Sequence, residues 1–134
     1  MKTTLYLLLL VLFIIGGCTE NKETSDSTGK GAIKVTIMYP NGVGKTFDMD
    51  YYSCRHMPML AQLFGDKMKK YEIDKGLSGR TPEDEIPYLA IGYLYFDRLS
   101  DYQEAFGPNA ETILSDIPNY TNIQPLVQIS EVVR

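Results

Sequence analysis

Apolar and polar residues alternate from Ile33 to Tyr39, with Ile33, Val35, Ile37 and Tyr39 on one face, which predicts a half-buried strand. Residues 40–44 (PNGVG) end it in a turn. The period then becomes helical. Phe47, Tyr51, Cys54, Met59, Leu63 and Phe64 fall along one side of a helix expected to begin near Phe47 and to stop at Gly65. Thr46 is placed to cap it, with Asp48 and Asp50 in the first turn, where the helix dipole favours negative charge. Pro58 cannot donate to the carbonyl of Cys54, so a kink or break is expected near His56.

Tyr71 and Ile73 alternate with charge in residues 69–77, a second strand, and residues 79–87 (GRTPEDEIP) form an acidic loop. Residues 88–97 (YLAIGYLYFD) are apolar on both faces and predict a central strand. Ser100, Asp101, Tyr102 and Gln103 read as a capping box for a second helix, expected to break at Gly107-Pro108 and resume at Asn109. Residues 123–133 supply the closing strand. The order β-α-β-β-α-β is the ferredoxin-like plan, an α+β fold with both helices on one face of a four-stranded antiparallel sheet. A central strand apolar on both sides leaves the other sheet face needing cover, and a homodimer with two sheets face to face provides it.

The N-terminal region follows a different logic. Lys2 precedes an apolar run at residues 5–15, followed by Gly16, Gly17 and Cys18. Eleven helical residues span about 16 Å, short of a ~30 Å hydrocarbon core, so the run reads as a secretory signal, not an anchor. Ile15-Gly16-Gly17-Cys18 resembles a bacterial lipobox, which implies a signal peptide over residues 1–17 and a lipidated Cys18. Residues 18–31 contain no aliphatic or aromatic side chain beyond Cys18 and read as a flexible tether. The remaining domain, residues 32–134, is expected outside the cytoplasm on the bacterial cell envelope, held to the membrane through its lipid alone.

Composition narrows the chemistry. A net charge of −4 opposes nucleic-acid binding, which needs clustered Lys and Arg. One histidine and two cysteines exclude multi-imidazole and four-thiolate metal sites, so no metal is expected. With Cys18 lipidated, Cys54 has no disulfide partner and is expected to be a buried small apolar residue. Gly42, Gly44, Lys45 and Thr46 are near a phosphate-binding loop in spacing, but Tyr39 stands where its first glycine would be, and a plain turn accounts for them. His56 is the one group able to transfer protons near neutral pH. Ten tyrosines, among them Tyr39, Tyr93 and Tyr95 on strands, suit an aromatic-lined pocket.

Phe47, the pair Tyr51-Tyr52 and His56-Met57-Pro58, in that order and spacing, resemble the first helix of the EthD family of small dimeric α+β-barrel proteins. The resemblance extends over about residues 32–134. It implies a cavity between sheet and helices, and it implies cofactor-independent oxidoreductase or oxygenase chemistry on a small apolar or aromatic compound. Tyr51, Tyr52, His56 and Pro58 carry over by position. In that reading His56 is the acid–base group, and Tyr39, Tyr51, Tyr52, Tyr93 and Tyr95 contact substrate. No cofactor is expected; haem on His56 as sole axial ligand is the cofactor-bearing alternative. A non-catalytic module holding a hydrophobic ligand or assisting a partner, with His56 structural, is the alternative without chemistry.

Overall fold

The structure, a computed structural model, describes residues 28–134. The expected signal peptide, Cys18 and most of the expected tether lie outside the described residues. Of that tether, residues 28–31 form a turn, and the Gly31 N–H donates to Val132 O at 2.7 Å, pinning the turn beside the last strand.

Four strands form one antiparallel sheet, β1 (Ile33–Pro40), β2 (Met68–Lys75), β3 (Tyr88–Phe96) and β4 (Leu126–Glu131), in the order β2-β3-β1-β4. Between β1 and β2 run α1 (Met49–Tyr51), a π-helical turn (Tyr52–His56) and α2 (Met57–Phe64); α3 (Leu99–Asp116) joins β3 to β4. This is the ferredoxin-like α+β arrangement expected from the order of elements, with β1 and β3 central. Opposed residues share a face: Val35 pairs with Leu94 and Ile37 with Gly92, and these point toward the helices. Buried Tyr52, Met57, Leu60, Phe64, Ala105 and Ile113 close the core over Val35, Tyr39, Ala90, Leu94 and Phe96.

The first helical segment departs from its sequence pattern, and Pro58 is the cause. Proline has no N–H to return to Cys54, and the chain widens by one residue instead of kinking: the Met57 N–H donates to Tyr52 O, five residues back. One inserted residue turns the preceding segment by about 100° relative to a regular helix. Tyr52 and His56 therefore face the core, whereas Cys54 is exposed with a free thiol, contrary to the expected buried position. The helix begins at Met49 instead of near Phe47. Asp48, not Thr46, caps it, its carboxylate accepting the Tyr51 N–H at 2.9 Å. Gly65 ends α2 at φ +54, a left-handed conformation that favours glycine.

α3 is likewise continuous where a break was expected. It runs through Pro108, and the side-chain amide of Asn109 donates to the Ala105 carbonyl at 2.8 Å on the turn the proline disturbs. The capping box at Ser100 does not form. Arg98 occupies the cap, makes no side-chain bond to the backbone, and pairs with buried Asp101 at 3.0 Å.

Candidate active site

Two segments far apart in sequence, residues 44–56 and 116–122, meet at the end of the sheet where β1 gives way to loop. The stretch 44–48 is stitched to residues 120–122. Thr46 N–H donates to Asn122 Oδ1 at 3.0 Å, Thr121 Oγ1 to Thr46 O at 2.7 Å, and Asp48 N–H to Tyr120 O at 2.7 Å. The stitching holds Tyr120 over the π-helical turn. Within that widened turn Tyr52 and His56 stand one above the other, their rings stacked at 5.5 Å and 17°. Tyr120 packs on His56 at 4.6 Å, and Phe47 and Tyr39 complete an aromatic cluster around Tyr52.

A chain of hydrogen bonds runs through this cluster. His56, 3% exposed, engages Asp116 Oδ2 through Nδ1 at 2.8 Å. A carboxylate only accepts, so Nδ1 carries the hydrogen and Nε2 the lone pair. The Tyr120 hydroxyl lies 3.3 Å from Nε2 and 2.7 Å from the hydroxyl of Tyr39. With Tyr120 turned to Nε2, its oxygen accepts from Tyr39. On the other carboxylate oxygen, Asp116 accepts from Tyr51 at 2.8 Å and from the Asn119 amide at 2.9 Å.

Electrostatics follow from this packing. Burial pushes the His56 imidazole below its ordinary value of 6.5, against the opposing pull of Asp116, so the ring is neutral near pH 7. Burial alone would raise Asp116, but the hydrogen bonds from His56, Asn119 and Tyr51 outweigh it and hold the carboxyl below its ordinary value. Burial drives the phenols of Tyr39, Tyr52 and Tyr120 upward, so all three stay protonated.

Beside the ring lies a cavity of about 90 Å³ between sheet, α2 and α3. Val35, Ile37 and Leu94 floor it, Leu60 and Phe64 wall it from α2, and Phe106, Ile113 and Leu114 from α3; Tyr39, Tyr102 and His56 are the residues with polar side chains on its wall. Two roomier and more open hollows share no wall residue with this cavity: one of about 400 Å³ lies against residues 46–48 and 118–122, the other, of about 480 Å³, between residues 41–43 and 84–86. A buried imidazole backed by Asp116 thus stands beside a largely apolar cavity on a ferredoxin-like frame. The EthD domain matches residues 41–124. This chain belongs to the EthD family.

The solved structures agree. An EthD-like protein from Ralstonia eutropha JMP134 is 39% identical over 78% of this chain and 95% of its own, with a TM-score of 0.75. An EthD family protein from Bacillus halodurans C-125 shares the fold at 13% identity and a TM-score of 0.53, over 75% of this chain and 97% of its own. No curated protein matches the sequence.

Within this EthD domain the residues expected at the site divide into three groups. His56 and Tyr39 line the cavity. Tyr51 and Tyr52 do not: Tyr51 is half-buried and holds Asp116 from outside, and Tyr52 is fully buried behind His56. Tyr93 and Tyr95 stand on the opposite face of the sheet, because they pair with Thr36 and Lys34 while Leu94 between them points to the helices. There the Tyr95 hydroxyl donates to Glu72 at 2.8 Å, and burial together with that bond pushes its phenol up to about 12. A single subunit therefore does not bring these two tyrosines to His56. Asp116 and Tyr120 are the site residues the sequence reading missed. They lie 60 and 64 residues from His56, and no local pattern marks them. The one available signal is a carboxylate at the C-terminus of a helix, where the dipole disfavours it.

Haem does not fit here. Both imidazole nitrogens are engaged inside the protein, and a 90 Å³ cavity is far smaller than a porphyrin. Among the described residues, no group of three or more His, Cys, Asp or Glu is arranged to hold a metal ion, and no helix is long and apolar enough to cross a membrane.

Proposed function

We propose that this EthD-family protein binds a small apolar or aromatic compound beside His56 and exchanges a proton with it, as a cofactor-independent oxidoreductase or oxygenase. One observation carries the reading: an imidazole 3% exposed, backed by Asp116 at 2.8 Å, is set in the wall of an otherwise largely apolar cavity. The neutral ring offers Nε2 as a base, and Asp116 meets the positive charge that develops when the proton arrives. The compound is left as an anion, the electron-rich species that dioxygen oxidises in an oxygenase reaction. Tyr39 orients the bound compound, Tyr51 holds Asp116, and Tyr52 supports the ring by stacking.

A second copy covers the open sheet face, where Met38, Ile91, Tyr93 and Tyr95 lie, and gives a dimeric α+β barrel with Tyr93 and Tyr95 at its interface. The lipobox-like Ile15-Gly16-Gly17-Cys18 supports a lipid anchor on Cys18 and a place on the bacterial cell envelope, the domain outside the cytoplasm.

Native mass spectrometry of protein extracted from its own membranes tests these points together. Two subunits, an acyl-bearing Cys18 and a co-purified small molecule are expected, with His56→Gln abolishing turnover of that molecule but not its binding. An unacylated monomer without ligand, whose melting temperature no compound moves, overturns the reading. The engagement of both His56 nitrogens within the protein favours the second reading, a non-catalytic module for a hydrophobic ligand or a partner, with His56 structural. In that case His56→Gln lowers stability and no turnover exists to lose.

A further inference from the structure

Three buried tyrosine hydroxyls adjoin His56, and they differ in what they bond. Tyr120 lies 3.3 Å from Nε2 and 2.7 Å from Tyr39. The Tyr52 hydroxyl, by contrast, is the buried side-chain polar atom left without a hydrogen-bond partner among the described residues. An unpaired hydroxyl in an interior is costly and calls for a reason. The Tyr52 ring meets Tyr39 edge-on at 5.4 Å, and the two phenols are close enough for each to alter the other's titration. The hydroxyl is seated against Gly92, which has no side chain to displace it.

The charge on His56 fixes the direction of donation along this row. With the imidazole neutral, Nδ1 holds its hydrogen on Asp116 and Nε2 accepts from Tyr120, whose oxygen accepts in turn from Tyr39. Tyr52 has no task in that state. When a proton arrives from solvent, an N–H bond forms at Nε2 and Nδ1 keeps its own. Two donors then face each other unless Tyr120 turns its hydrogen away. Its other hydrogen-bond neighbour is Tyr39, which must now accept, so the Tyr39 hydrogen needs a further oxygen. Tyr39 is buried, and the unpaired oxygen beside it is that of Tyr52. The charged group acting on the ring is Asp116 of α3. The other titratable groups around it are phenols: Tyr51 and Tyr52 on its own turn, Tyr120 after α3, Tyr39 on β1, and Tyr102 of α3 on the wall of the same cavity.

Resting on the acid–base role given above, we propose that protonation of His56 reverses the direction of hydrogen donation along Tyr120 and Tyr39, and that the Tyr52 hydroxyl is the acceptor at the end of the reversed row. Each hydroxyl keeps its own hydrogen and turns it; the one bond formed is N–H at Nε2. The row supplies a charged imidazole with partners in an interior where an unpaired charge is costly. Tyr52 is thus a positioning residue, acting on the charge through the hydroxyls of Tyr39 and Tyr120. Its unpaired oxygen is the acceptor that the charged state requires.

The full-length protein with ¹⁵N-labelled histidine reports this ionisation directly, because the chain has one imidazole. Tyr52→Phe keeps the ring against His56 and removes the oxygen. Its His56 midpoint is expected to fall by about 0.3–1 pH unit, a roughly two- to tenfold change in the acid constant and the fold-change of one hydrogen bond. Tyr39→Phe is expected to lower the midpoint at least as far, since it strands the Tyr120 hydrogen. In the Tyr39→Phe background, Tyr52→Phe is expected to change nothing further, since the row no longer reaches it. Urea unfolding gives a second reading. Tyr52→Phe should lose stability relative to the parent as pH falls below the parent's His56 midpoint, and not above about 6.5. A midpoint that either single variant leaves unmoved or raises overturns the proposal. So does an equal fall from Tyr52→Phe with and without Tyr39→Phe, which marks a direct action of the phenol on the ring. Reversal in a protein without turnover overturns the acid–base role alone. Turnover by a protein whose midpoint Tyr52→Phe does not move overturns the reversal alone.

Discussion

The hydroxyl of Tyr52 on the π-helical turn occupies the space that a side chain at Gly92 on β3 would need. This contact sets how closely the His56-bearing turn seats on the sheet, and glycine is the residue that permits it. The same hydroxyl is buried without a hydrogen-bond partner among the described residues, although the phenol of Tyr39 is a close ring neighbour.

Gly92→Ala is accordingly expected to destabilise the domain by about 1–3 kcal/mol, because Tyr52 is fully buried and has nowhere to retreat. Tyr52→Phe removes the unpaired group and is expected to be neutral or to stabilise by about 1 kcal/mol. Combined with Gly92→Ala it should recover most of the loss, since the obstructing atom is gone. Urea midpoints of the two single variants and the double variant check this. Simple additivity of the two changes would refute the contact.

His56 is the one histidine in the chain, so its titration can be followed without assignment. Its folded midpoint is expected below 6.5, the value assigned to an unburied imidazole. Between that lower midpoint and about 6.5 the unfolded chain binds more protons than the folded one. Stability therefore rises with pH through the window and is lost as pH falls from about 6.5 toward the folded midpoint. Asp116, also depressed, loses its contribution further down, below its ordinary value of 3.8. Unfolding free energies measured across this range, with His56→Gln flattening the upper part, check the sign.

Asp116→Asn keeps an acceptor for Nδ1 but removes the negative charge that raises the imidazole. The His56 midpoint should fall further, and stability should drop by about 1–3 kcal/mol as a charged hydrogen-bond centre serving His56, Tyr51 and Asn119 is lost. If His56 is the acid–base group, turnover should fall roughly 10²-fold or more, since the developing imidazolium loses its counter-charge. An NMR midpoint that rises in this variant contradicts the arrangement.

Ile91→Glu places a charge at the centre of the open sheet face, opposite Met38 and Asp74 and away from the core. Light scattering should report a shift from two subunits to one, with the circular dichroism of the fold unchanged. A variant that remains dimeric places the interface elsewhere.

Much of the frame was legible because its signals are local. The alternation of Ile33, Val35, Ile37 and Tyr39 depends only on which side of a strand each residue occupies, and the doubly apolar β3 announces a central position wherever it is sheltered. The helical stretch was misread by one rotation because a π turn leaves no mark in apolar spacing. The pattern counts 3.6 residues per turn, and the fold inserts a residue to satisfy a proline. Cys54 went outward and Tyr52 inward for that reason alone. Pro108 was read as a break, yet the packing of Ala105 and Ile113 into the core holds α3 in one piece.

The sequence by itself determined the order of elements, the family and the one imidazole on which chemistry can turn, since each rests on neighbours within a few residues. Only the tertiary structure decided what that imidazole touches. Asp116 ends a helix where its charge is locally unfavourable, and Tyr120 sits in a loop without periodicity; both gain their reason from bonds to His56 across 60 or more residues. The structure likewise divided the tyrosines, because alternate residues of one strand point to opposite faces of a sheet. Tyr39 went to the cavity, and Tyr93 and Tyr95 to the open face.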